Sequence, residues 1–203
     1  ALFALSFLNT LQPALAPVVR PATTAILFLQ PYFVVRLIDQ IHPVHPRLPL
    51  AVLIVLIGAW AAVIVPSLVN VPPGDPVRLA GVLVGTVVFF AVQGWCASRF
   101  ALDSRRRFGV ARFRLLFAGV STALFGLAIL VAGLGSVAAG GATNPSSVTA
   151  SRVLALVAAI GYLAAFLPPP WFRRYVNRAA SFNLVRAMVA PATDTGGVWA
   201  ELA

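Results

Sequence analysis

Long apolar runs alternate with short polar segments along the whole chain. A helix needs roughly 20 mostly apolar residues to cross a bilayer, and six runs approach or exceed that length. They lie at residues 1–19, 21–41, 48–69, 78–98, 113–135 and 151–167. The runs are continuous rather than alternating, which favours helices over the strands of a membrane barrel. The pattern predicts an all-α integral membrane protein, with a polytopic bundle of about six transmembrane helices within residues 1–170.

Prolines and one predicted cap set the ends of several of these helices. Pro13 and Pro17 weaken the first apolar run, so a bundle of five crossings is the alternative. Asp75 followed by Pro76 predicts a side-chain cap and a first-turn proline at the start of the fourth helix. The triple proline at 168–170 ends the sixth helix.

The composition agrees with a membrane protein and excludes several soluble classes. Apolar residues make up 60% of the 203 residues and charged residues 10%, with a mean hydropathy of +0.94. A soluble domain contains about a quarter charged residues, so an ordinary cytosolic enzyme and a disordered tail are both excluded. The single cysteine, Cys96, cannot form an intramolecular disulfide, which excludes a disulfide scaffold.

The arginines are distributed unevenly between the two predicted membrane surfaces. The chain has 15 basic residues, all of them arginine, and 5 acidic residues. Twelve arginines lie on the side of the C-terminus: Arg36, Arg47, Arg99, Arg105, Arg106, Arg107, Arg112, Arg114, Arg173, Arg174, Arg178 and Arg186. The other side receives Arg20, Arg78 and Arg152. The positive-inside rule places the C-terminus in the cytoplasm, with either six or five crossings.

The basic charge favours lipid headgroups over nucleic acid as the binding partner. A soluble protein with a pI of about 11.7 would be expected to bind nucleic acid. Here the arginines flank apolar runs, so we expect contacts with membrane lipids and anionic headgroups, and no nucleic-acid partner. The predicted interface anchors are Arg105, Arg106, Arg107, Trp171, Arg173 and Arg174.

The second apolar run carries the candidates for a ligand or switch site. Gln30 and Tyr32 lie near the predicted midplane beside Pro31, whose missing N–H frees a backbone carbonyl. Arg36 lies about 8 Å from the inner end of the helix and can pair with Asp39 at i+3. The alternative is an ordinary proline kink satisfied by neighbouring helices, together with a snorkelling arginine anchor.

No metal, cofactor or catalytic site is predicted within the chain. His42 and His45 are three residues apart, but the prolines around them favour a headgroup-level loop over a metal or haem site. The sequence contains no phosphate-binding loop, nucleophile elbow, metalloprotease motif or dinucleotide fingerprint. Any kinase activity would require a region beyond Ala203.

Two pairs of small residues predict close contacts between helices. Gly81 and Gly85 form one pair in the fourth run, and Gly119 and Ala123 form the other in the fifth run. Their spacing is compatible with packing inside the bundle and with a dimer seam. Between these runs, residues 103–107 predict a compact basic loop that marks the cytoplasmic side and binds anionic lipid.

The segment after the sixth run is amphipathic and then resembles a linker. Trp171, Arg173 and Arg174 suit the membrane interface. Residues 171–190 place apolar side chains at helical spacing, which predicts a cytoplasmic exit helix. Residues 191–203 have the composition of a linker followed by the start of another helix, so we expect the chain to belong to a longer protein.

The order of these elements resembles the N-terminal multi-span region of bacterial sensor histidine kinases and of related signalling proteins such as diguanylate cyclases. The exit sequence PPPWFRR at 168–174, with one proline more than the family pattern, carries most of the similarity, together with LQPY at 29–32 and Arg36-Leu37. The tail at 193–203 resembles the opening helix of a GAF domain. The resemblance implies a sensory and anchoring module, which would be a homodimer if the output domain is a kinase.

The alternative function is a small integral membrane subunit of a larger complex, or a transporter-like carrier. A carrier is expected to show broken helices or polar sites at the midplane, often repeated in its two halves. The second apolar run is the one plausible site of this kind, and residues 1–69 and 78–167 show no convincing repeat.

Overall fold

The structure, a computed structural model, describes residues 16–41 and 44–167, and these contain five α-helices and no β-strand. In chain order they are α1 (Ala16–Ile41), α2 (Arg47–Leu68), α3 (Pro76–Arg105), α4 (Gly109–Ala138) and α5 (Pro145–Phe166). All five, α1 from Pro21 onwards, are long and apolar enough to span a membrane. The predicted all-helical architecture is therefore confirmed, with five helices that could each span a membrane.

The start of α1 differs from the predicted boundary between the first two apolar runs. One continuous helix begins at Ala16 and continues past Pro21. Pro17 lies in the first turn, where a backbone N–H has no helical partner, so its missing N–H breaks no helical hydrogen bond. Most of the crossing predicted at 1–19, and everything predicted beyond Leu167 including the exit helix, lies outside the described residues.

Capping residues followed by proline begin both α3 and α5. The Asp75 carboxylate accepts a hydrogen bond from the backbone N–H of Val77 at 2.8 Å, with Pro76 as the first helical residue, as predicted. Asn144 caps α5 in the same way by accepting from the backbone N–H of Ser146 at 3.1 Å. Each cap satisfies a donor that the first helical turn leaves unpaired. These two caps lie at the same end of the bundle.

The helices α3 and α4 form a hairpin that is longer than the predicted spans. Each has 30 residues, which is about 45 Å at 1.5 Å per residue, against a hydrocarbon core of about 30 Å. Most of the segment predicted as a basic loop is therefore helical, because α3 runs to Arg105 and the connection spans residues 106–108. The exposed arginines at 105–107 lie at this turn, and we call this end of the bundle the basic end.

Each helix packs against its neighbours in the sequence. Contacts join α1 to α2, α2 to α3, α3 to α4 and α4 to α5, and α1 also contacts α3. Within 16–41 and 44–167, α1 and α5 have no such backbone contact. Side chains from both helices nevertheless reach one buried cluster, which contains Val35, Ile38, Cys96, Phe100, Ala118 and Ala165. The two outer helices are therefore connected through side chains in the core.

Glycines at a seven-residue spacing bring α4 against α3. The pairs are Gly119 with Phe100, Gly126 with Gln93 and Gly133 with Thr86. A Cβ added at Gly126 would lie 3.0 Å from Cβ of Gln93. A seven-residue step is two helical turns, so the antiparallel helices stay in contact along most of their length. Ala123, the predicted partner of Gly119, is exposed and lies outside this row.

Gly81 and Gly85 place α3 against α2. The carbonyl oxygen of Ala62 occupies the position that a Cβ on Gly81 would take. A Cβ on Gly85 would lie 2.5 Å from Cγ2 of Val63. Pro66 has no N–H, so the Ala62 carbonyl lacks a donor four residues later and can face the Gly81 backbone. Both glycines therefore pack inside this bundle.

Candidate functional site

Four polar side chains from four different helices meet inside the apolar bundle. They are Gln30 from α1, Gln93 from α3, Thr122 from α4 and Tyr162 from α5, and we call them the core polar cluster. The amide nitrogen of Gln93 donates a hydrogen bond to the amide oxygen of Gln30. The hydroxyls of Thr122 and Tyr162 lie 2.8 Å apart, and the Gln30 side chain lies beside the Tyr162 hydroxyl.

The direction of each hydrogen bond in the core polar cluster follows from the available protons. The Thr122 hydroxyl has one proton and donates it to the carbonyl oxygen of Ala118 at 2.7 Å, so Tyr162 must be the donor to Thr122. Tyr162 has then used its one proton, so its oxygen can only accept, and the Gln30 amide nitrogen beside it is the available donor. The result is a one-way chain from Gln93 through Gln30, Tyr162 and Thr122 to the α4 backbone.

The hydrogen-bond chain begins at the buried Gln93 amide, whose nitrogen is hydrogen-bonded and whose oxygen is not. Gln93 is 0% exposed, and its amide oxygen has no hydrogen-bond partner among the residues that the structure describes. The Ser121 hydroxyl, which packs against Gly161 of α5, is also buried without a partner in this part of the chain. An unsatisfied buried polar group costs about 1–3 kcal/mol. These two groups therefore carry a substantial energetic cost within the described core.

The residues predicted for a ligand or switch site separate into two environments. Gln30 points into the core polar cluster, whereas the Arg36 side chain is 55% exposed and lies 3.4 Å from Asp39. Asp39 also accepts a hydrogen bond from the backbone N–H of Val44 at 3.1 Å. Tyr32 is partly buried and packs against the apolar cluster around Phe89. The Arg36–Asp39 pair therefore has the geometry of the surface anchor that was the alternative prediction.

The remaining predicted residues that the structure describes lie outside the core polar cluster. Arg105, Arg106 and Arg107 are exposed at the α3–α4 turn, while Trp171, Arg173, Arg174 and His42 lie outside the described residues. His45 is exposed. Within the described ranges, no group of three or more histidine, cysteine or carboxylate residues could hold a metal ion. The core polar cluster is therefore the candidate functional site.

Three of the four cluster residues were not identified from the sequence. A signal existed for Gln93, which is the one amide in the apolar run at 78–98. Thr122 and Tyr162 carry no such signal, since hydroxyl residues are common in membrane helices and often bond to the backbone of their own helix. Only the packing of α4 and α5 shows that these two hydroxyls face Gln30.

Comparison with protein-family models, curated proteins and solved structures gives no match for this chain. The candidate site therefore depends on its own geometry. That geometry consists of a directed hydrogen-bond chain, its buried unpaired acceptor and the four helices that supply it.

Proposed function

We propose that this bundle is the membrane-embedded sensory and anchoring module of a bacterial signal-transduction protein of the sensor histidine kinase type. In this proposal the basic end faces the cytoplasm of the inner membrane. A stimulus changes the packing of the helices, and the segment after α5 passes that change to cytoplasmic output domains. The observation that carries the proposal is the hydrogen-bond chain, because it connects four helices through the middle of the bundle.

The core polar cluster has the features needed for a two-state element. A switch requires two arrangements between which a ligand or partner discriminates. Rotation of α3 that gives the Gln93 oxygen a donor would remove one unsatisfied group and break or redirect its bond to Gln30. Rearrangement of Gln30 would in turn change the donor that reaches the Tyr162 oxygen on α5. The chain thus couples the position of α3 to that of α5.

The position of α5 in this chain supports an output through its C-terminal end. Tyr162 lies four residues before the end of α5 at Phe166. The sequence that follows, PPPWFRR at 168–174, is the one that resembles the exit segment of sensor kinases. The segment that leads to the output domain begins about one helical turn beyond Tyr162. A shift of α5 at Tyr162 would therefore reach that segment.

The orientation in the membrane can be tested by cysteine labelling. In a Cys96→Ala background, we expect Arg106→Cys to react with an impermeant thiol reagent only after the inner face of the membrane is exposed. Thr143→Cys, in the exposed connection before α5, should react in intact cells, because the arginine bias places it outside. Labelling of position 106 in intact cells would contradict the proposed orientation.

The signalling function can be tested in the complete gene product in native membranes. Gln93→Leu breaks the first bond of the chain, and we expect it to change basal autophosphorylation about tenfold, since couplings between sites are worth about 1–3 kcal/mol. Gly94→Ala is the matched control on the same helix, because its added Cβ meets nothing within 4 Å.

Two results would contradict the sensory function. One is an equal rate of autophosphorylation in the Gln93→Leu and Gly94→Ala variants when both are folded and inserted in the membrane. The other is native mass spectrometry that finds stable, stoichiometric foreign subunits and no kinase activity. The second result would favour the alternative of a membrane subunit of a larger complex.

A further inference from the structure

A cleft of about 310 Å³ opens at the basic end of the bundle. Leu37 and Ile41 of α1 line one side, and Ala165 and Phe166 of α5 line the other. These are the two helices that have no backbone contact with one another within the described residues. The volume lies at the lower end of the range for ligand pockets, about 300–1,000 Å³. The cleft therefore occupies the gap that the helix order leaves open.

The lining of the cleft is apolar except for two arginines. Arg107 comes from the α3–α4 turn and Arg114 from the second turn of α4, and none of the described residues in the wall is acidic. Nε of Arg114 donates to the carbonyl oxygen of Ala165 at 2.9 Å. A guanidinium carries five N–H donors, so this bond holds Arg114 at the end of α5 and leaves four for another acceptor.

We propose that this cleft binds an anionic phospholipid, with the phosphate at Arg107 and Arg114 and one acyl chain between α1 and α5. The apolar wall suits the acyl chain, and two guanidinium groups without a carboxylate in the lining suit a phosphate. Basic pockets between transmembrane helices are a recurring site for anionic headgroups. This site stands without the sensory function, because it depends only on the shape and charge of the cleft.

The cleft lies about two helical turns from the core polar cluster. Leu37 and Phe100 of the cleft wall are each seven residues from a cluster glutamine, Gln30 on α1 and Gln93 on α3. Seven residues of helix span about 10 Å. An acyl chain that enters from the basic end is therefore long enough to reach the level of the Gln30–Gln93 hydrogen bond.

Native mass spectrometry of the detergent-purified chain, titrated with phosphatidylglycerol, tests the proposal. We expect one phosphatidylglycerol to be retained per chain, and phosphatidylcholine to bind at least about tenfold more weakly. Arg107→Gln combined with Arg114→Gln should weaken phosphatidylglycerol binding about tenfold. The matched control is Arg105→Gln combined with Arg106→Gln, which removes the same charge from residues outside the cleft and should change binding less than about twofold.

A second variant keeps the test decisive if loss of Arg114 disturbs the end of α5. Ala111→Phe fills the cleft from an exposed lining position and removes neither a charge nor a hydrogen bond. It should weaken phosphatidylglycerol binding to the same extent as the paired arginine variant. Glycerol phosphate, which offers the headgroup alone, should not compete.

Three outcomes would overturn the proposal. The first is an equal loss of binding in the Arg105/Arg106 control, which would show attraction to the whole basic end. The second is equal binding of phosphatidylcholine. The third is competition by glycerol phosphate at the same concentration as the lipid, which would show a site for a free phosphate rather than for a phospholipid.

Discussion

Gly81→Ala is expected to lower the free energy of unfolding by about 2 kcal/mol, because the contact between α2 and α3 has no room for another methyl group. The new Cβ would overlap the carbonyl oxygen of Ala62 and lie 3.1 Å from its carbonyl carbon. A backbone atom cannot change rotamer, so α2 would have to move away from α3. That movement would also separate Gly85 from Val63, which pack in the same contact.

Gly94→Ala is the matched control for this prediction. Gly94 lies on the same helix within a predicted span, and a Cβ there would meet nothing within 4 Å. We expect its stability to be unchanged or slightly raised, because alanine favours a helix more than glycine does. The pair therefore separates steric conflict at the helix contact from the general effect of adding a methyl group.

Unfolding of both glycine variants can be measured through the buried cysteine, Cys96. Cys96 is the single cysteine of the chain and is 0% exposed, so a thiol reagent reaches it only when the bundle opens. Thermal unfolding in detergent, followed by labelling of Cys96, should show a lower midpoint for Gly81→Ala than for Gly94→Ala. Equal midpoints would contradict the close approach of α2 and α3.

Gln93→Leu is expected to lower the free energy of unfolding by about 1 kcal/mol, because the lost hydrogen bond and the newly unpaired Gln30 oxygen outweigh the removal of the unpaired Gln93 oxygen. The leucine removes the donor to the Gln30 oxygen and leaves that acceptor in an apolar core. Gln30→Leu should have a larger cost, because it removes the acceptor for Gln93 and leaves both polar atoms of that amide unpaired. The matched control is Gln40→Leu, an exposed glutamine on α1, which should change stability by less than about 0.5 kcal/mol.

The double variant measures the coupling between the two glutamines. Combining Gln30→Leu with Gln93→Leu leaves neither amide unpaired in the core. We therefore expect the double variant to lose about 1–2 kcal/mol less stability than the two single variants lose together. Additive losses in the same labelling assay would show that the two side chains do not share a hydrogen bond.

Close packing and the core polar cluster depend on one another. Gly126 abuts Gln93, and Gly161 abuts Ser121 beside Thr122. Both contacts bring backbones together, so that short hydroxyl and amide side chains can meet across helices. A larger residue at either glycine would separate α3, α4 or α5 and stretch the hydrogen-bond chain.

The sequence predicted most of the fold because a bilayer limits the structures that a chain can adopt. Apolar length identified the helices that became α1 to α5, although α1 begins at Ala16 rather than at residue 21, and the proline after Asp75 identified the start of α3. The predicted spans stop short of the full α3 and α4, since polar residues at 99–114 continue both helices beyond the hydrocarbon core. Arginine content there indicates the membrane surface but does not indicate where the helical hydrogen bonds end.

The candidate site was accessible from the sequence only through Gln30. An amide beside Pro31 in an apolar run indicates a buried polar position, since lipid offers it no partner. Its partners could not be predicted, because Gln93, Thr122 and Tyr162 lie 63, 92 and 132 positions away in the numbering. Periodicity gives the face of one helix and does not give the register between two helices.

By itself, the sequence determined that this chain forms apolar helices of membrane-spanning length with an arginine-rich end, because those properties follow from local composition and from the energetic cost of polar backbone in lipid. The tertiary structure alone decided which faces meet. It set the glycine rows in register, brought four polar side chains into one chain of hydrogen bonds, and left the gap between α1 and α5 open beneath two arginines. The physical reason is that helix register depends on the contact of specific side chains across the bundle, and hydrophobicity does not distinguish one such contact from another.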